Sequence, residues 1–437
     1  MPTTRRQFLH HTTQLAASAA LPGVIHQPTR TAAADQVSVG LIGCNSMGWT
    51  DLMSMLKLPG LRCIALCDVD QNVLTRRAAE LDKRTPGTTP RLYTDFRQLL
   101  DNKDIDVVII GTPDHWHCLP MVYACQAGKD VYVEKPLANS IEECDTMVAA
   151  VQRYKRVVQV GQWQRSGPHW KQAIDYVQSG QIGNIRSVKT WAYMPYGKTF
   201  PGRPDEPVPT GVDYDMWLGP ATRRPFNRNR FHGSFRYFWD YAGGLMTDWG
   251  AHMIDIALWG MQVTAPRSVQ ALGGRFGFPN HAGETPDTLQ VLYDFGTFPL
   301  LWEQSLGIGR GPYDRDHGVA FIGNRGTVVI DRGKWEVLPE VENGRFMTQA
   351  MPPQYGDGKD LDRHTQNFID CVRSRQSPNC PVEAGRHVAL NAQLGNIAHR
   401  LGQQLFWDET TRSVLNNQKA SELARAQYRA PWVLPKL

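Results

Sequence analysis

Three side chains able to carry alcohol chemistry stand far apart in this sequence. Lys135 lies in the run Val131-Tyr132-Val133-Glu134-Lys135-Pro136-Leu137, and Asp248 and His252 stand four residues apart further along. An ammonium group can bind a hydroxyl and stabilise the oxyanion that forms as the proton leaves. An imidazole beside a carboxylate can be the base that takes that proton. If the segment from Gly243 to Asp255 is helical, Asp248, His252 and Asp255 share one face, with Trp249, Met253 and Ile256 on an apolar neighbouring face. The bland alternative makes Lys135 a loop lysine, Asp248 an N-cap and His252 a satisfied core histidine.

These groups need elements to position them. Val131 to Val133 is a β-branched and aromatic strand that Pro136 stops, so Lys135 stands at its carboxyl end. In an open parallel sheet, ligands bind at those ends. Upstream, Val37 to Ile42 reads as strand one and runs into Gly43-Cys44-Asn45-Ser46-Met47-Gly48, a dinucleotide turn with asparagine in place of the second glycine. Gly43 permits the tight turn and Gly48 close helix packing, while the turn amides face a pyrophosphate. Asp68 ends strand two, 20 residues past Gly48, where a carboxylate holds the adenosine ribose. That favours NAD, with NADP left open by Arg76 and Arg77. After the apolar run ending at Ile110 comes Gly111-Thr112-Pro113-Asp114-His115-Trp116-His117, read as a loop lining the nicotinamide end. Its two histidines lack a third clustered ligand, so no metal is expected.

From Val37 to Gly161, short apolar runs alternate with amphipathic stretches, as in a doubly wound parallel sheet. After Gly161 the strands lengthen and alternate: Ile185 to Trp191, Leu289 to Phe295, Leu300 to Gln304 and Gly326 to Ile330. They predict a large, mostly antiparallel open sheet with helices on one face. His364 to Leu401 reads as helical and is expected to brace both domains. A Pro/Gly/Arg-rich stretch, Tyr196 to Phe235, is expected to be a structured excursion near the site. Seven of the thirteen tryptophans fall between Gly161 and Gly260, and ring faces suit sugar C–H faces, although most of these are expected in the core. Gln162, Arg165 and Tyr193 are the expected substrate contacts. Arg223, Arg224, Arg228, Arg230 and Arg236 read as a solvated or intersubunit face, with an anionic sugar as the alternative.

The first residues bear on compartment. Thr4-Arg5-Arg6-Gln7-Phe8-Leu9, an apolar stretch from Leu15 to Val24 and Ala32-Ala33-Ala34 form a twin-arginine signal pattern over residues 1–34. Its apolar stretch is too short to span a bilayer, so a periplasmic protein without a membrane span is expected, exported folded with its cofactor aboard and retained. Losing Arg5, Arg6 and Arg30 lowers the formal charge from +5 to +2, which gives no reason to expect nucleic acid. The eight cysteines lack metal spacing and read as buried thiols, with a Cys371–Cys380 pair as an alternative.

Taken together, the twin-arginine leader, the Gly43 to Gly48 turn, Thr112-Pro113, Glu134-Lys135-Pro136 and Asp248-x-x-x-His252 resemble the Gfo/Idh/MocA oxidoreductases, over essentially residues 36–410. The resemblance implies a Rossmann domain (36–161) and an α/β domain (162–437) often used for oligomerisation, so a homo-oligomer is expected. It places Lys135, Asp248 and His252 at the catalytic positions. Gly43, Asn45, Ser46, Met47, Gly48, Asp68, Thr112, Pro113, His117, Glu134 and Lys135 are the expected cofactor contacts. The expected activity is hydride transfer between NAD(P) and a carbohydrate or polyol hydroxyl. An NAD-dependent glycoside hydrolase and a non-catalytic sugar-binding protein are the alternatives.

Overall fold

The computed structural model describes residues 36–85, 89–196, 200–415 and 417–437. The twin-arginine segment lies outside the described residues. Six parallel strands form the first sheet: β1 (Val37–Ile42), β2 (Leu61–Cys67), β3 (Arg91–Tyr93), β4 (Val107–Ile110), β5 (Asp130–Val133) and β6 (Val158–Val160). Their order is β3-β2-β1-β4-β5-β6. Every residue of β1, β4 and β5 is buried, because helices cover both faces, and that burial demands the unbroken apolar runs of the sequence. The chain reverses direction across the sheet between β1 and β4, which opens a crevice at their carboxyl ends.

Glycines set how closely the elements meet there. Gly43 has φ +85°, and a Cβ on it would stand 2.7 Å from the Gly111 carbonyl. A Cβ on Gly48 would stand 2.3 Å from the Gly43 oxygen, so only glycine lets helix Ser46–Met55 start this close to β1. Asn45 is extended (φ −110°, ψ 168°) and needs no glycine. The left-handed residue is its neighbour, Ser46, at φ 45°.

The second sheet has ten strands. From one edge they run Met351–Tyr355, Lys334–Pro339, Gly326–Ile330, His317–Gly323, Ile185–Met194, Pro299–Leu306, Thr288–Asp294, Ser268–Gly274, Leu405–Asp408 and Ser413–Val414. Pairing is antiparallel except between Ile185–Met194 and Pro299–Leu306. Helices Pro168–Gln178, Gly250–Met261 and Val382–Leu401 pack on one face, against Val188, Ala192, Met194 and Trp302. The predicted single helical stretch from His364 is two helices, Asp360–Ser374 and Val382–Leu401. The first rests on Ser46–Met55, where Ser54 donates to Asp362 at 2.7 Å. The second meets helix Ile141–Tyr154, where Arg386 bonds Asp145 at 2.8 Å.

All eight cysteines are buried free thiols. Cys371 donates to the Ser377 carbonyl at 3.5 Å and Cys380 to Gln162 at 3.2 Å, so the alternative of a disulfide between them is not realised. Among the described residues, no helix is long and apolar enough to cross a membrane.

Candidate active site

A cleft of about 1080 Å³ runs along the carboxyl ends of β1, β2, β4 and β5, from Asp68 to Lys135. Gly43, Asn45, Ser46 and Met47 line one wall, Thr112 and Pro113 the floor, and Glu134 and Lys135 the far end. Asp68 accepts from the Cys44 amide at 2.8 Å and the Asp70 amide at 3.1 Å, which fixes its carboxylate beside the glycine turn. Thr112 lines the cleft, and its hydroxyl is buried without a hydrogen-bond partner among the described residues. Close glycines, a tethered ribose-end carboxylate and an orphaned hydroxyl all fit a dinucleotide.

The excursion after Tyr196 forms the roof. Asp213 donates to the Val69 carbonyl at 2.9 Å, Gln71 donates to Gly211 at 2.8 Å, and His232 meets Asp70 at 3.2 Å. Met216, Trp217, His232, Phe235 and Arg236 thereby face the nucleotide end of the chain across the cleft.

At the Lys135 end the separated residues converge. Lys135 Nζ donates to Asp248 Oδ1 at 2.5 Å and to the Asp248 carbonyl at 3.3 Å. Arg236 Nε stands 3.6 Å from the other Asp248 oxygen. Burial acts to raise the Asp248 carboxyl, but the Lys135 ammonium and the Arg236 guanidinium outweigh it and hold the group ionised. Asp248 ends helix Gly244–Asp248, and Trp249 keeps helical angles (φ −82°, ψ −34°) into helix Gly250–Met261. The four-residue spacing to His252 therefore survives the break, and Asp248 is not an N-cap.

His252 is buried, and its Nδ1 has no hydrogen-bond partner among the described residues. Burial pushes the imidazole well below its ordinary value, with the charges of Arg332 and Lys135 adding to the effect and Asp248 opposing it. The ring is thus neutral at physiological pH. Its ring centre stands 5.8 Å from Trp163 and 6.1 Å from Trp249.

A second set of carboxyls lies beneath. Asp51, in helix Ser46–Met55, is fully buried, and burial and then Glu134 drive its carboxyl upward. Burial also pushes Glu134 up to about 7, against the pull of Lys135. Both Asp51 oxygens and Glu134 Oε1 lack any donor among the described residues, which fits carboxyls held protonated by burial and by each other.

Residues 37–162 match the oxidoreductase family's NAD-binding Rossmann fold, and residues 179–273 and 341–434 match its C-terminal alpha/beta domain. The chain belongs to the Gfo/Idh/MocA oxidoreductase family. A Shewanella putrefaciens glycosyl hydrolase family 109 protein is 32% identical over 155 residues, 35% of this chain and 34% of that protein. This chain thus spans about a third of that relative's length. The uncharacterized oxidoreductase YrbE of Bacillus subtilis is 23% identical over 85% of this chain and 94% of its own. Levoglucosan dehydrogenase, solved with NADH and levoglucosan, superposes with a TM-score of 0.63 at 20% identity, over 85% of this chain and 99% of its own.

In this member of the Gfo/Idh/MocA oxidoreductases, four expected contacts sit elsewhere than anticipated. His117 does not face the cleft: its Nδ1 meets the Pro136 carbonyl at 2.7 Å and its Nε2 the Thr112 carbonyl at 2.9 Å. It staples the two loops that do. Arg165 is locked on Asp255 through bonds of 2.7 and 2.9 Å, so its charge is neutralised away from Asp248. Gln162 is buried and holds Cys380. Tyr193 follows Trp191 onto the opposite face of its strand from the helices, a consequence of two-residue alternation. The Asn45 side chain meets Arg76 and Arg77 at 3.4 Å. Arg224 and Arg230 are paired with Asp240, Glu284 and Asp205, whereas Arg236 turns into the site. Asp51, Arg332, Trp163 and Trp249 are site residues the sequence reading did not single out. The aromatic density of residues 161–260 hinted at the last two, and the apolar face expected beside His252 includes Trp249.

Proposed function

We propose that this oxidoreductase transfers hydride between a nicotinamide cofactor and a carbohydrate or polyol hydroxyl. The observation that carries this reading is the bond from Lys135, at one end of the cleft, to Asp248, with His252 one helical turn from Asp248 and within reach of both charges. Gly43, Ser46, Met47, Gly48 and Asp68 would hold the adenosine and pyrophosphate, and Thr112, Pro113 and Glu134 the nicotinamide half. When bound, the cofactor supplies a hydride acceptor at the nicotinamide ring. His252 takes the hydroxyl proton as the C–H bond breaks. Lys135 donates to the oxygen and stabilises its developing charge. Asp248 holds the ammonium in place.

The roof pinned to Val69, Asp70 and Gln71 supports a cofactor retained through turnover. Retention suits the twin-arginine pattern, and with it a periplasmic location. Asp68 supports NAD over NADP. A homo-oligomer is proposed on family membership.

A second reading is favoured by the similarity to the family 109 glycosidase and by the roofed cleft. Transient sugar oxidation would acidify a neighbouring C–H, the aglycone would leave, and reduction would restore the ring. Mass spectrometry of the co-purified nucleotide, followed by a sugar panel read at 340 nm, tests the first reading. Lasting absorbance at 340 nm supports the dehydrogenase. Nitrophenol release from a chromogenic glycoside without added cofactor supports the glycosidase. Neither signal, with nucleotide bound, leaves a sugar-binding protein and refutes the proposal.

A further inference from the structure

Arg332 stands against the same two indoles that flank His252. Its Cζ lies 4.5 Å from the Trp163 ring centre and 4.2 Å from that of Trp249. The Nε donates to Gln164 Oε1 at 3.2 Å. Among the described residues no carboxylate forms an ion pair with it. The acids whose charge reaches Arg332 are engaged elsewhere. Asp248 holds Lys135 and Arg236, Asp316 bonds His317 at 2.6 Å, and Asp360 accepts from Trp170 at 3.2 Å. Arg332 is half-buried, and desolvating a guanidinium even in part without a counter-charge is costly, a cost that packing against indole rings recovers only in part.

The contacts around Arg332 point the same way. Asp248 is shared by Lys135 and Arg236, so it leaves no carboxylate oxygen within ion-pair distance of Arg332. With the faces of Arg332 against indoles and Nε on Gln164, the remaining edge offers two parallel N–H donors, the geometry a carboxylate accepts.

We propose that the substrate carries a carboxylate seated on Arg332, which makes it a sugar acid rather than a neutral sugar. This rests on the site assignment above and narrows it. Seating the acid group against Trp163 and Trp249 would carry the reacting carbinol towards His252, because both indoles contact that ring.

Calorimetric titration of the full protein, as isolated, with D-glucuronate and D-galacturonate against D-glucose and D-galactose provides the test. At least one acid should bind about tenfold or more tightly than its parent sugar, a preference that shrinks as salt is raised. Arg332→Gln should abolish the acid-to-parent ratio and Arg332→Lys should keep part of it, with thermal unfolding checking that both fold. A ratio near one in the wild type, failure of both acids to bind, or an unchanged ratio in Arg332→Gln overturns the proposal. Should Arg332→Gln not fold, the Arg332→Lys ratio and the salt dependence decide. Acid binding without nicotinamide reduction would sink the hydride-transfer reading and leave the sugar-acid inference standing.

Discussion

Replacing Lys135 by methionine separates what its charge does for the fold from what it does for the reaction. At 2.5 Å and an effective dielectric of about 20, the Lys135–Asp248 attraction amounts to about 6–7 kcal/mol before desolvation is charged against it. Arg236, 3.6 Å from the same carboxylate, remains in Lys135→Met and limits the damage. We expect a stability loss of about 3 kcal/mol, the lower end for breaking a buried pair. Lys135→Met/Asp248→Leu should lose less than the two single variants together, by about 1–3 kcal/mol of coupling, because neither charge is left alone. Turnover should not recover with it. Both variants lack the donor to the developing oxyanion, and kcat should stay about 10²–10³ below wild type. Urea unfolding monitored by tryptophan fluorescence gives the stabilities, and absorbance at 340 nm gives the rates. Strict additivity of the stability losses, or a Lys135→Met rate within threefold of wild type, would refute this reasoning.

Other expectations follow from the same geometry. His252 is depressed by burial, so the base is already neutral below pH 6.5, and the acid limb of kcat/KM should lie below the ordinary histidine value; a limb above pH 7 would contradict this. Glu134 and Asp51 are raised, so the stability they contribute is full below the ordinary carboxyl range and lost as pH rises through about 7. Asp51→Asn should therefore flatten stability between pH 4 and 7, measured by thermal unfolding across pH. Gly48→Ala sets a Cβ 2.3 Å from the Gly43 oxygen, and should cost about 1–3 kcal/mol and release nucleotide, read by absorbance of the protein-free filtrate. Tyr193→Ala, on the far face of the sheet, should leave kcat/KM within about twofold of wild type.

The sequence carried the first sheet well because its strands are buried on both faces and must be continuous apolar runs. β1 has the bounds that were predicted, whereas the exposed three-residue edge strand β3 escaped notice. Lys135 was legible because Pro136 marks a strand end, and Asp248 with His252 because their spacing is local. Arg332 was not legible. It follows the strand Gly326–Ile330, far in the chain from the indoles it meets, and nothing local distinguishes it from the many surface arginines. His117 misled for a similar reason: a histidine beside a cofactor loop looks like a ligand contact until both ring nitrogens are seen on backbone carbonyls. Asp51 and Glu134 needed the three-dimensional meeting of a helix and a strand end before either carboxyl had meaning.

The most direct test is a crystal structure with a nicotinamide cofactor and a bound sugar or sugar acid. The carbinol oxygen should lie within about 2.6–3.2 Å of both Lys135 Nζ and a His252 ring nitrogen. Its carbon should face nicotinamide C4 at about 3–3.5 Å. A nicotinamide ring bound away from Lys135, or a carbinol that reaches only one of the two nitrogens, would contradict the account.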